Sequence, residues 1–450
     1  LQVQLLISSK IQPHFHGGKA MLRQSMWAAF VASVWGVVGL QVNADPGEFP
    51  NFEAAAKQAG KGQLGSSEPT SKVKRQLFEA GDAAYSTGSR QPAANRAIAA
   101  PEADKAERPR QASAERAIPD ASGDAGESEI LAAYALTKTA TEEAEFTEII
   151  ERLQLGVEQG VSKKMAEYGR TLTAWAHNKR GELRAAADLS EDALDDFETA
   201  VSLDHNNWRA INNRGVSRAV LGDAAGAIAD FSRVLELNPR FASAYFNRAE
   251  MRYERRDFAG AIDDYTRSLK ITPRDAAAFN SRGHAFYRLG RQEQAMADYN
   301  KALQIDPGNA AALVNRGDLN ADMGDFGAAA EDYRSAISAK PEFGRAYQSA
   351  AWLMATCPDE RFRDATLGIE IAQKAIELDG TGDYRYLETL SAAQANAGEF
   401  EMAAETLADA MQFAPAAVAE VYRQRIGKFQ AGHPHREPAK KVAAAPPVRR

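Results

Sequence analysis

Arginine recurs at Arg180, Arg214, Arg248, Arg282 and Arg316, a spacing of 34 residues kept without slippage, and that period restricts the chain to a row of short, similar units. Other columns keep the same register. A small residue follows each arginine at Gly181, Gly215, Ala249, Gly283 and Gly317; alanine stands at Ala193, Ala227, Ala261, Ala295 and Ala329; an aromatic stands at Phe197, Phe231, Tyr265, Tyr299 and Tyr333. The units close at His205, Pro239, Pro273, Pro307 and Pro341. Within residues 208–241 the first half opens a helix at 210–216, Leu221-Gly222-Asp223 turns the chain, and 225–237 place Ala227, Ile228, Phe231 and Leu235 at helical spacing. Gly215 and Ala227 let two helices approach, Phe231 fills the space beside them, and Pro239 stops the second helix. One such hairpin cannot cover its own apolar flank, so stability requires neighbours stacked in a line.

These columns resemble the tetratricopeptide repeat, closely over residues 174–343 and more loosely beyond. The resemblance implies an all-α solenoid of helical hairpins, a right-handed superhelix whose first helices line a concave groove used for protein or peptide binding. Five regular units occupy 174–343. Residues 344–383 form a degenerate unit with five inserted residues near Cys357-Pro358-Asp359-Glu360, after which Ala372, Ala375 and Leu378 restore the spacing. A further unit covers 384–415, with Leu387, Leu390, Gly398, Phe400, Ala403, Leu407, Ala410 and Pro415 in register. Residues 416–430 read as a terminal capping helix, with Val418, Tyr422, Ile426 and Phe429 on one side. Ahead of the array, order is expected from Ile130, and residues 130–173 supply covering helices, one of them opened by a capping-box pattern in Thr139-Ala140-Thr141-Glu142 before Phe146, Ile149, Ile150, Leu153 and Leu155. The Asn-Arg-Gly openings, the Cys-Pro-Asp-Glu interruption and the Asp-Tyr-Arg-Tyr-Leu unit also resemble a group of exported bacterial tetratricopeptide proteins of unsettled role.

The flanks carry other information. Met21-Leu22-Arg23, an apolar run at 27–40 and Val42-Asn43-Ala44 before Asp45 make a secretory signal, so residues 1–44 read as upstream sequence plus signal peptide, with cleavage expected after Ala44. The alternative is a signal retained as a membrane anchor. Residues 45–129 are rich in Ala, Pro, Gly, Ser and mixed charge and poor in large apolar side chains, the composition of a disordered linker. Residues 431–450, with Lys440, Lys441, Arg449 and Arg450, read as a mobile basic tail. The net charge of −7 lacks the basic excess of a nucleic-acid binder, and no nucleic-acid partner is expected. Cys357 is the chain's one cysteine, which excludes an intramolecular disulfide and a cysteine zinc cluster; it reads as a small core residue.

Two constellations follow the period. Asp196, Asp230, Asp264, Asp298 and Asp332 each lie sixteen residues after an arginine of the column, which predicts a structural ladder of charge-assisted hydrogen bonds onto second helices of the same or an adjacent unit. Just before the arginines, Asn178, Asn212 and Asn280 share one first-helix column and Asn213, Asn247 and Asn315 the next. An amide donates and accepts at once, so such rows can hold an extended peptide by its backbone; the alternative is ordinary consensus usage, since asparagine is common at these places in the repeat they resemble. Tyr253 and Tyr287 join them as groove candidates, among Glu182, Glu250, Glu254, His284, Arg288 and Asp318. That mixed surface lacks the basic set that grips a terminal carboxylate in chaperone-binding relatives. No catalytic residue, metal site or cofactor is expected: His177, His205, His284, His433 and His435 are scattered, no nucleophile or phosphate-loop motif occurs, and tandem acids such as Asp195-Asp196 and Asp263-Asp264 recur with the unit as solvated second-helix faces. The expected activity is non-catalytic binding of a protein or extended peptide outside the cytoplasm, periplasmic or secreted. A structural envelope scaffold acting through self-association is the alternative.

Overall fold

A computed structural model describes residues 123–438, all within one compact unit. The signal segment, the linker through residue 122 and the tail beyond 438 lie outside the described residues. The described chain holds 17 α-helices, one 3-10 turn and no strand. In chain order they are α1 (Ala125–Leu136), α2 (Glu143–Glu158), α3 (Lys163–Ala186), α4 (Ser190–Leu203), α5 (Trp208–Val220), α6 (Ala224–Leu237), α7 (Ala242–Glu254), α8 (Phe258–Ile271), α9 (Ala276–Arg288), α10 (Gln292–Ile305), α11 (Ala310–Met323), α12 (Phe326–Ala339), α13 (Gly344–Thr356), α14 (Ala365–Asp379), α15 (Tyr384–Asn396), α16 (Phe400–Ala410) and α17 (Ala416–Gln430), with the 3-10 turn Glu360–Phe362 between α13 and α14. Consecutive helices pair as hairpins from α1–α2 to α15–α16, and α17 packs on α16.

Local chemistry repeats with the hairpins. The turn inside each regular unit takes a left-handed residue at the same place, Asp188, Gly222, Arg256, Gly290 or Gly324, with φ between 61° and 87°. In three of the regular units the second helix starts on an aspartate cap: Asp223, Asp257 and Asp325 accept backbone N–H bonds from Gly226, Gly260 and Ala328 at 2.9–3.0 Å. The two helices of a hairpin close over one aromatic ring. A Cβ on Gly215 would lie 2.9 Å from Phe231, and one on Gly317 would lie 2.6 Å from the Tyr333 ring, so glycine is what lets the ring seat there.

Three boundaries differ from the sequence expectation. Helix α1 already starts inside the segment assigned to the linker, because Ile130 and Ala133 are fully buried against Ile149 and Leu153. The α1–α2 pair is thus a hairpin in its own right. The expected division at residue 174 falls inside α3, a helix of 24 residues: Met165, Tyr168, Leu172 and Ala176 continue its apolar stripe by two turns and cover the α1–α2 core. The capping box sits three residues later than Thr139, with the Glu145 carboxylate accepting the N–H groups of Thr141 at 2.6 Å and Glu142 at 2.9 Å.

The tail also departs from expectation over residues 431–438, which pack against α13 and α15 rather than extending as mobile sequence. Cys357 is buried just after α13, where burial raises its thiol to about 11. No described helix is long and apolar enough to cross a membrane.

The inner face of the stacked first helices

Successive first helices touch one another along the stack more closely than successive second helices do, so the first-helix side is the shorter, inner side. The arginine column lies behind it. Arg180, Arg214, Arg248, Arg282 and Arg316 each grip the aspartate sixteen residues on, in their own unit, through Nε and Nη2: Arg248, for instance, holds both oxygens of Asp264 at 2.8 Å. The third nitrogen, Nη1, reaches the second helix of the preceding unit, at Thr147 for Arg180, Ser232 for Arg248, Thr266 for Arg282 and Asn300 for Arg316. One guanidinium therefore ties three helices, and its planar fork suits that task. Arg184, Arg218 and Arg252 add a further bond to Asp196, Asp230 and Asp264. His177 Nδ1 also lies 2.7 Å from Asp196. Burial pulls the Asp196 carboxyl upward, but the bonds from His177 and Arg180 outweigh it and hold the group below its ordinary value. The tandem acids expected on solvated faces are split accordingly: Asp195 and Asp263 face solvent, whereas Asp196 and Asp264 are buried.

The asparagine columns meet across unit boundaries. Asn213 Nδ2 donates to Asn178 Oδ1 at 3.1 Å and to Glu182 at 3.3 Å, and Asn315 Nδ2 donates to Asn280 Oδ1 at 2.8 Å. The corresponding middle pair, Asn212 on α5 and Asn247 on α7, differs. Both side chains are nearly buried, at 6% and 5% exposure, yet Asn212 Oδ1 and Asn247 Nδ2 meet no hydrogen-bonding partner. An acceptor and a donor on adjacent first helices are thus left over from the pattern that their neighbours complete.

Beyond that pair the inner face becomes a polar and aromatic cluster. Arg288 Nη1 donates to Tyr253 Oη at 2.9 Å, Tyr287 donates to Asp322, and the Tyr253 and His284 rings lie 5.3 Å apart. Burial, with Arg345 and Arg288 beside it, lowers the His284 imidazole to about 3, so a ring with some remaining exposure stays neutral. Three partners in this cluster were not singled out from sequence as site residues. Tyr265 donates to Glu250 at 2.6 Å, Tyr333 donates to Asp318 at 2.9 Å, and Arg345 Nη2 bridges Asn315 at 2.8 Å and Asp318 at 3.2 Å. Burial pushes the Asp318 carboxyl up despite Arg345, and burial with the facing acids pushes the Tyr265 and Tyr333 hydroxyls well up. The available signal was a spacing of fifteen between acid and tyrosine in those two units. A shallow depression of about 320 Å³ lies elsewhere, over the Arg316–Asp332 pair on the second-helix side, and shares none of these inner-face groups. Among the described residues no cluster of His, Cys, Asp or Glu is arranged to hold a metal ion.

Family models for the tetratricopeptide repeat match residues 212–276, 283–324 and 310–343. No curated protein matches the chain. Among solved structures, a tetratricopeptide repeat protein from Parabacteroides merdae is 16% identical, with 58% of this chain and 99% of that one covered and a TM-score of 0.47. YrrB, described as a TPR protein with an unusual peptide-binding site, is 19% identical over 44% of this chain and 96% of its own, with a TM-score of 0.36. MamA from Desulfovibrio magneticus is 21% identical over 38% and 96%, with a TM-score of 0.36.

Proposed function

Since the chain is a tetratricopeptide-repeat protein, its stacked hairpins form a surface for protein interaction, and we propose that it is a non-catalytic receptor, exported from the cytoplasm, that holds an extended segment of a partner along the inner face. The observation that carries this reading is the Asn212–Asn247 pair. Buried polar atoms are ordinarily hydrogen-bonded, and leaving them unmet costs about 1–3 kcal/mol each. Both atoms are covered in the free chain, so docking requires the two amides to rotate toward the inner face, where a peptide backbone offers an N–H for Asn212 Oδ1 and a carbonyl for Asn247 Nδ2 whatever its sequence. The flanking His284, Tyr253, Tyr287 and Asp318 then select side chains. The signal-like sequence at 21–44 is what supports a location outside the cytoplasm.

The test is selection of binders from a library of extended peptides by the purified chain, followed by measurement on the Asn212→Ala/Asn247→Ala variant. Two lost hydrogen bonds of about 0.5–1.5 kcal/mol each predict roughly tenfold weaker binding at an unfolding midpoint no lower than that of the unaltered chain. Equal affinity would remove the pair from the mechanism. One observation favours the scaffold alternative: Leu221, Leu289 and Met323 are exposed at corresponding positions of three hairpin tips. Light scattering separates the two, because tip-to-tip association yields oligomers that Leu221→Ser and Leu289→Ser dissolve.

A further inference from the structure

The stretch after α17 sits on the inner face as a ligand would. Gly432, at φ 78°, reverses the chain, with the His433 N–H donating to the Lys428 carbonyl at 2.9 Å, and residues 433–438 cross α13 and α15 without regular structure. Arg436 Nη1 donates to the Ala355 carbonyl at 2.9 Å, and its Nη2 to Asn396 Oδ1 at 2.7 Å. One residue later the Glu437 N–H donates to the Thr356 carbonyl at 2.9 Å. The His435 ring lies 5.7 Å from that of Trp352, and its Nε2 is 3.6 Å from Glu437.

The acceptors follow from the inserted residues. The last carbonyls of any helix lack intrahelical partners and carry the negative end of its dipole. In the regular units a left-handed residue turns the chain back over the end of the first helix; after α13, Cys357 is extended (φ −52°, ψ 132°) and Pro358 leads away into the 3-10 turn. The Ala355 and Thr356 carbonyls are thereby left for another donor. A planar guanidinium reaches both a carbonyl and the Asn396 amide oxygen, which the point-like ammonium of lysine matches poorly. Trp352 forms the floor, and Glu388, held by Arg425 and by Tyr422 at 2.6 Å, lies alongside. His435, Arg436 and Glu437 are only half-buried and insert no large apolar side chain, so the segment is held by directional bonds rather than by a core.

We propose that this end of the inner face is a binding subsite for an extended, arginine-containing segment of a partner protein, and that the chain's own residues 433–437 fill it as a displaceable internal competitor. The proposal rests on the inner-face reading above and specifies one part of that surface. Tethering gives the internal segment a high effective concentration, so it sets a threshold that a partner segment must exceed.

The experiment uses the full chain and a labelled synthetic peptide carrying residues 432–438, Gly-His-Pro-His-Arg-Glu-Pro, followed by fluorescence anisotropy. Arg436→Ala with Glu437→Pro removes the guanidinium and the backbone donor beyond the last helix, and unchanged helicity and unfolding midpoint establish that the hairpins are intact. The opened variant is expected to bind the peptide on the order of tenfold or more tighter than the unaltered chain, because the competent fraction rises. Adding Asn396→Ala to that variant, or replacing the peptide's arginine with lysine, is expected to reverse the gain. Equal affinity for opened and unaltered chains, or no uptake by the opened one, would overturn the proposal. A second readout needs no variant: the Glu437 amide should exchange its hydrogen slowly in the unaltered chain and faster with saturating peptide, and unprotected exchange from the start would equally sink it. Failure here with success of the Asn212–Asn247 test refutes the subsite while leaving the wider reading in place.

Discussion

Arg248 shows how much one side chain decides. Its guanidinium and the Asp264 carboxylate are nearly inaccessible, at 11% and 1% exposure, so Arg248→Leu leaves a buried charge with only Arg252 to meet it, and a loss of about 3 kcal/mol is expected in urea unfolding. Changing Asp264 to leucine as well should restore most of that loss. The Asn212→Ala/Asn247→Ala variant predicts the opposite sign: removing two unmet polar groups should leave stability unchanged or raise it slightly, whereas Asn315→Ala, which breaks bonds to Asn280 and Arg345, should lower it by about 1–2 kcal/mol. Acid should act on His284 and His435, both held below the ordinary value chiefly by burial. The folded value of His284, about 3, lies below the ordinary 6.5, so the unfolded chain binds the extra proton between those values. The stabilisation from His284 is complete above pH 6.5 and is lost as pH falls toward 3, and His284→Gln should reduce the slope of that part of a pH series of unfolding midpoints, leaving the share that His435 contributes. Asp196, held below its ordinary value, adds a second loss only in the more acidic range, as pH falls through its folded value. The arginine–aspartate pairs were legible in the sequence because both partners sit in one unit at a fixed spacing. The asparagine contacts were not, because they join different units and depend on how first helices stack.

At the scale of the element, hairpin closure depends on glycines that differ in what surrounds them. Gly317→Ala would drive a methyl into the Tyr333 ring and should cost about 1–3 kcal/mol, while Gly427→Ala, on the exposed side of α17 with nothing within 4 Å, should gain about 0.5–1 kcal/mol; thermal denaturation of the two variants checks both. The period gave the helices, their turns and the insertion. It misplaced the start of the array because α3 obeys two demands at once: its second half is a repeat helix, and its first half carries Met165, Tyr168 and Leu172 to cover a hairpin that lacks the repeat's signature. The seat of residues 433–438 was hidden for a similar reason, since polar, proline-containing composition reads as solvated until a helix end with spare carbonyls lies beside it.

Across the whole described array, each hairpin leans mainly on its neighbours, so damage should stay local. Tyr422 buries its ring against α15 and α16 and donates to Glu388; Tyr422→Ala should speed hydrogen exchange in α15–α17 and leave α5–α8 unaltered. Uniform acceleration along the chain would contradict that picture. The array also has a polarity, set by the third nitrogen of the arginine column. From Arg180 to Arg316, wherever that nitrogen bonds to a neighbouring unit, it bonds to the earlier one. A hairpin emerging from the ribosome therefore finds its latch already built by the hairpin before it, and waits for nothing still to be translated. Synthesis from the amino end then becomes a zipper closing tooth by tooth, in which the nascent chain need expose only one unfinished flank at a time.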